Sequence, residues 1–206
     1  MQTHPGPLRC GKIKSEMIRL RAMTDGENML TLIILLFIAY GAYAGARKGA
    51  VLQGIMFAGY VVVFLLAKLL AGVFKSTFEL WIPYPSATMS SHFAFFSQSL
   101  GLRLDDPFYL AFSFMFVFAI GWVIVRVVSL LLHELEYYPL PAKQNHWIGG
   151  IIGGLGAYLF VVMVLYLVAM IPVSGLQTAL EHSLLAKIMV PHTPIFSWLL
   201  HTWWIG

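Results

Sequence analysis

Charge is scarce in this chain. Charged residues make up 11% of its 206 positions, against roughly 25% in an average soluble domain. A globular protein with so little charge could not cover its surface. Only nine residues are Asp or Glu, and none falls inside the long apolar runs. That argues against intramembrane aspartyl proteolysis and against proton carriage through buried carboxylates, because such groups are too costly in lipid to be there without a function. Cysteine is nearly absent: Cys10 stands alone, so no disulfide framework exists. No apolar h-region precedes it, and "PLRCGK" lacks a small-residue cleavage pattern, so neither a lipoprotein nor a cleaved signal is expected. Metal motifs are missing as well. "HELE" at His133–Glu136 is not the His-Glu-x-x-His that sets two zinc ligands one turn apart. Ser174-Gly175 in "PVSGL" lacks the preceding glycine of a nucleophile elbow. No internal repeat stands out, and no cofactor site is expected.

Apolar sequence is what the chain has in abundance. Hydrophobic residues reach 59% and mean hydropathy is +0.80. Stretches of about 18 or more nearly uncharged residues read as membrane-crossing helices. Four are expected, at about residues 29–46, 50–74, 108–132 and 147–171. The first two are joined by "RKG", too short for anything but an antiparallel hairpin. Between the second and third, Pro83 and Pro85 open a turn-rich loop, and "HFAFFSQSLG" reads as a short interfacial helix ending at Gly101. Asp105 or Asp106 before Pro107 is a helix-start signal. The expected fold is an all-α integral membrane protein with four transmembrane helices. Its tail, 175–206, is expected along the interface as short amphipathic helices, with Leu176, Leu180, Leu184 and Ile188 four apart and Trp198, Trp203 and Trp204 as anchors.

Residues 1–28 are polar and basic, without a clear amphipathic period, and are expected to be disordered. Met29 begins the first apolar run directly, and Gly26-Glu27-Asn28 could be encoded by a purine-rich ribosome-binding site. Met29 is therefore a second candidate for the start of translation, which an intact mass of the native protein decides.

Glycine is concentrated where a helix least tolerates it. "HWIGGIIGGLGAYLF" holds five glycines within eight residues, each costing a helix interior about 1 kcal/mol relative to alanine. Gly149 and Gly153 are four apart, as are Gly150 and Gly154; the first hairpin repeats the spacing in Gly41, Gly45 and Gly49. Residues four apart share a helix face. Each stripe is a smooth surface on which another backbone can lie, and in lipid such packing carries helix association. The sequence leaves open whether the stripes meet within one chain or between chains.

Two cations lie inside the apolar runs, Lys68 and Arg126. Snorkelling to the headgroups explains both by default; an anion or lipid phosphate is the functional alternative. His182, His192 and His201 recur at irregular spacing and read as interfacial residues, not metal ligands. The net charge of +4 and isoelectric point near 9.2 belong to the Lys and Arg excess of membrane loops and carry no nucleic-acid reading. The compact basic turn favours a cytoplasmic first link, with both termini outside.

Taken together, "GAYAGARKG" after the first span, a second span on its heels, a third span with Arg near its end, and Asn-His-x-x-Gly-x-x-x-Gly leading into the fourth resemble the colicin V production protein family, in its low-GC Gram-positive (lactobacillus-like) form. The resemblance covers about residues 29–200. It maps the family's basic-Gly turn onto Arg47, Lys48 and Gly49, and its Asp-Arg-x-x-Gly-x-x-x-Gly segment onto Asn145, His146, Gly149 and Gly153. This chain departs in carrying Asn145-His146 for Asp-Arg, and Gly156-Ala157 where relatives often have Arg-Gly. The resemblance implies a multi-pass protein of the bacterial cytoplasmic membrane, tied to toxin production or export and to envelope maintenance. The leading expectation is a non-enzymatic scaffold or accessory factor, alone as a homo-oligomer or with export machinery in the bilayer. The rival is a small channel or transporter with Gln53, Tyr60 and Arg126 as its polar lining.

Overall fold

The computed structural model describes residues 29–85, 87–88, 91–131, 142–193 and 195–206. The expectations for residues 1–28, including the second start, and for the "HELE" link fall outside them. The described residues form eight helices and no strand: α1 (Met29–Lys48), α2 (Ala50–Trp81), α3 (Gln98–Gly101), α4 (Asp105–Leu131), α5 (Ala142–Ala169), α6 (Ser174–His182), α7 (Leu184–His192) and α8 (Phe196–Trp204). α1, α2, α4 and α5 are each long and apolar enough to cross a bilayer.

Gly49 alone separates α1 from α2. Its φ of 78° lies in the left-handed region, which a side-chain-bearing residue rarely adopts. α2 outlasts the expected end at residue 74 by two turns. Hydropathy falls there, but Lys75 and Glu79 pair at 3.6 Å across one helical turn, and Lys75 also meets Asp106 at 2.6 Å. Lys68 therefore sits well inside α2, not near its end. α4 starts earlier than expected, with both aspartates in its first turn; Leu104 supplies the carbonyl that accepts the Phe108 amide at 2.8 Å. Pro107 still lies where a missing N–H costs nothing. α5 begins at Ala142, which puts Asn145 and His146 inside the helix.

The two ends of the bundle differ. At the turn end lie Gly49, the last residue of α4 and the start of α5. The opposite, closed end is packed by the segment between α2 and α4. Of "HFAFFSQSLG" only Gln98–Gly101 is helical; Phe93 is buried and its ring fills the space where Gly101 lacks a side chain. Gln177 of α6 ties this end together. It is buried, accepts the Ala94 amide at 2.8 Å, and donates to the carbonyls of Ala169 at 3.0 Å and Ile171 at 2.7 Å. Nearby, the Tyr84 hydroxyl donates to the Met170 carbonyl at 2.7 Å and that of Tyr109 to the Ile82 carbonyl at 2.8 Å.

The tail takes a course different from the expected one. α6 stays at the closed end, but α7 and α8 turn into the bundle. The Tyr158 and Thr193 hydroxyls meet at 2.7 Å. Tyr158 is eleven residues inside α5, about 16 Å from its end at 1.5 Å per residue. The link between α7 and α8 therefore lies near the level of the bilayer centre. α8 then returns, packing Trp203 on Phe64 and Trp204 on Phe114 and Tyr166. The physical reason is composition: Ala186, Met189, Val190, Leu200 and Trp204 are buried in the same core as α4 and α5, and an interface would leave much of that apolar surface in contact with headgroups and water.

Candidate functional site: a cavity floored by a broken helix pair

Irregular backbone at membrane depth survives only where its polar groups find partners in the protein. Here side chains supply them. The last carbonyls of α7 have no helical partner; Met189 O accepts from the Thr193 hydroxyl at 2.6 Å and Val190 O from the Ser197 hydroxyl at 2.6 Å. Since the single Thr193 proton goes to Met189, Tyr158 is the donor in their contact. Backbone bonds from Ser197 N to Thr193 O (3.1 Å) and from Leu199 N to Ile195 O (2.8 Å) start α8. Ile195, at φ 66°, occupies a conformation that is a genuine outlier for a β-branched side chain.

Above this link is a cavity of about 660 Å³, walled by α1, α2, α4 and α5, with Phe196 of α8 among its lining residues. Its size is within the range of about 300–1,000 Å³ typical of small-molecule sites. Gln53, Tyr60 and Arg126 all line it, as does Lys48, whose Nζ lies 3.3 Å from the Met56 sulfur. The Arg126 guanidinium interacts with the Tyr60 hydroxyl. Among the described lining residues none is Asp or Glu. The rest of the wall is largely aromatic and aliphatic. Lys68 is elsewhere: its ammonium stands 4.1 Å from the centre of the Trp203 indole, a cation–π contact that holds α8 to α2.

The glycine stripes form the frame of this cavity. Gly41 lies against Ala157 and the Gly153 carbonyl, and Gly45 against Gly149 and Gly153. A Cβ on Gly153 would come within 2.8 Å of the Gly45 Cα, and one on Gly149 within 2.9 Å of the Gly49 carbonyl carbon. No side chain fits between these antiparallel helices. Gly150 and Gly154 face Ala46 and Ala42 at ordinary contact distance, 3.4 Å. Both stripes therefore meet within one chain. At their upper end Asn145 Oδ1 accepts the Ala50 amide at 2.6 Å, and His146 Nδ1 is 2.7 Å from the Ala46 carbonyl, to which it must donate. One residue caps the start of α2 and the next the end of α1. Arg47 points outward, 6.0 Å from the Tyr43 ring centre.

Residues 30–194 match the family described as Colicin V production protein. The chain belongs to that family. It is 29% identical over 177 residues to "Uncharacterized transmembrane protein YshB" of Bacillus subtilis (strain 168), an alignment covering 85% of this chain and 97% of the relative. No solved structure matches it. Colicin V production proteins are membrane proteins and not a known enzyme family. Asn145 thus serves as an acceptor and His146 as a donor across the α1–α2 turn. Sequence reasoning singled these residues out through the family pattern; nothing in their chemistry announced that they cap two helices about 95 positions away. Among the described residues no group of His, Cys, Asp and Glu could hold a metal ion. His192 and His201 are exposed, the latter on a second, smaller cavity beside Phe96 and Trp198.

Proposed function

We propose that this colicin V production family member acts as a small membrane carrier or channel, serving toxin production or export and envelope homeostasis in the bacterial cytoplasmic membrane. One observation carries the reading: Gln53, Tyr60 and Arg126 line a single cavity that ends on Phe196 of α8, the second of two half-length helices that meet near the bilayer centre. Discontinuous helices meeting a cavity at that depth are how many transporters place a solute site, and an arginine facing such a cavity is expensive unless it is used. The test is anion efflux from proteoliposomes, measured with methanesulfonate and octanesulfonate, which stay ionised and so do not leak as neutral acids. Flux above protein-free vesicles, abolished by Arg126→Leu, supports the reading; no flux above that background opposes it.

The glycine seam between α1 and α5 favours a second reading, a rigid scaffold for export machinery. Crosslinking in native membranes separates the two, since a scaffold yields a fixed heterologous partner and a carrier need not.

A further inference from the structure

Arg126 lies deep. Its neighbour Val125 contacts the position of Gly59 on α2, nine residues and about 14 Å below the Ala50 end. Below Tyr60 the cavity continues past Phe64 and Phe118 to Met163 and Phe196, and everything lining that part is apolar. From Tyr60 to Phe64 this lower part runs about 6 Å along α2. The cavity is therefore polarised along its axis, with a guanidinium and a phenol over an apolar slot. Its rim carries Tyr40 and Trp122, both exposed and on different helices, so among the described residues it opens toward lipid.

We infer that this cavity binds a single-chain amphipathic monoanion of the fatty-acid type, taken up from the surrounding leaflet, with its carboxylate on Arg126 and Tyr60 and its chain in the slot above Phe196. The inference rests on the carrier reading of the cavity and names its substrate class. Three features select this occupant. A charged head at this depth needs a countercharge, because isolated ions in a low-dielectric site are prohibitively costly, and Arg126, exposed on the cavity wall, supplies it. One guanidinium neutralises one carboxylate, in the planar two-bond geometry that suits both. A lateral opening among aromatic side chains admits a molecule already dissolved in lipid, whereas a small hydrophilic anion would have to cross apolar surface to reach it.

The probe is 5-bromodecanoate, whose bromine, a few carbons below the carboxylate and at the level of Trp122, quenches indole fluorescence on contact. The full-length protein is placed in phosphatidylcholine nanodiscs, which separates saturable quenching of Trp122 from unspecific quenching by fatty acid in the bilayer. We expect a saturable component that Trp122→Phe removes and decanoate competes away, while decanol, acetate and decyltrimethylammonium do not. Arg126→Leu weakens it by about ten- to a hundredfold, the loss of one charge-assisted hydrogen-bonded contact. Ala119→Phe, which adds bulk to the exposed part of the wall and leaves Arg126 in place, weakens it comparably and guards against a misfolded arginine variant. Equal competition by decanol, quenching unchanged by both variants, or stronger competition by phosphatidylglycerol than by decanoate overturns the assignment. Saturable binding without octanesulfonate efflux retains the site and removes the carrier; efflux without saturable decanoate binding does the reverse.

Discussion

The Tyr158 hydroxyl donates to Thr193 at 2.7 Å, and Thr193 in turn donates to Met189 O at 2.6 Å. This relay fixes the depth of the C-terminal helix pair against α5. The floor of the cavity, and so its volume and polarity, follow from it.

The seam between α1 and α5 is tested by glycine replacement. Gly153→Ala should cost about 2 kcal/mol, since the added methyl meets backbone and cannot be accommodated by a rotamer change. Gly156→Ala, with Phe57 Cδ2 as its nearest neighbour at 3.6 Å, should be neutral or slightly stabilising. Thermal unfolding of the purified variants in one detergent gives the comparison, and equal transitions would remove the seam from the account.

The cap on α2 predicts a graded series at one position. Asn145→Ala should lower stability by about 1 kcal/mol, the usual value of a helix-start acceptor. Asn145→Asp, which keeps the accepting oxygen, should retain most of it. Denaturation midpoints for the three proteins decide.

Tyr84 predicts an alkaline limit. Burial, reinforced by the negative charge of Asp105, pushes its hydroxyl from 10 up to about 12. The folded state thus holds the proton more tightly than the unfolded state. The corresponding stability is complete below pH 10 and is lost as pH rises through 12. Tyr84→Phe removes the bond to Met170 and lowers stability at pH 9, yet its further fall between pH 10 and 12 should be smaller. Unfolding followed by circular dichroism across that range measures both.

The four crossings could be read from the sequence because lipid imposes one requirement, a long apolar run, that hydropathy reports directly. Glycine spacing was equally legible: the stripes at 41, 45 and 49 and at 149 and 153 are periodic, and only packing explains their cost. The end of α2 was not, because Lys75 and Glu79 interrupt hydropathy while supporting the helix through their own pairing. The turn of α7 and α8 into the bundle was hidden for a different reason. Each is nine residues long, and a short apolar helix has the same composition whether it lies on the interface or dips below it. Gln177 gives no sign of its role in the sequence, because that role depends on the fold bringing the Ala94 amide, 83 positions away, to the side chain that also holds the Ala169 and Ile171 carbonyls. For the cavity, Gln53, Tyr60 and Arg126 were named as polar residues in apolar runs, whereas the aromatic floor could not be told from lipid-facing surface.

The depth of the α7–α8 link is the quantity on which these readings turn. A nitroxide at Ile195→Cys, in a Cys10→Ser background and reconstituted in phosphatidylcholine, reports its depth through the ratio of oxygen to nickel-chelate accessibility. A label near the bilayer centre, about 15 Å below the headgroups, is the result this account predicts. A label at headgroup level would place the tail on the interface and take away the floor of the cavity.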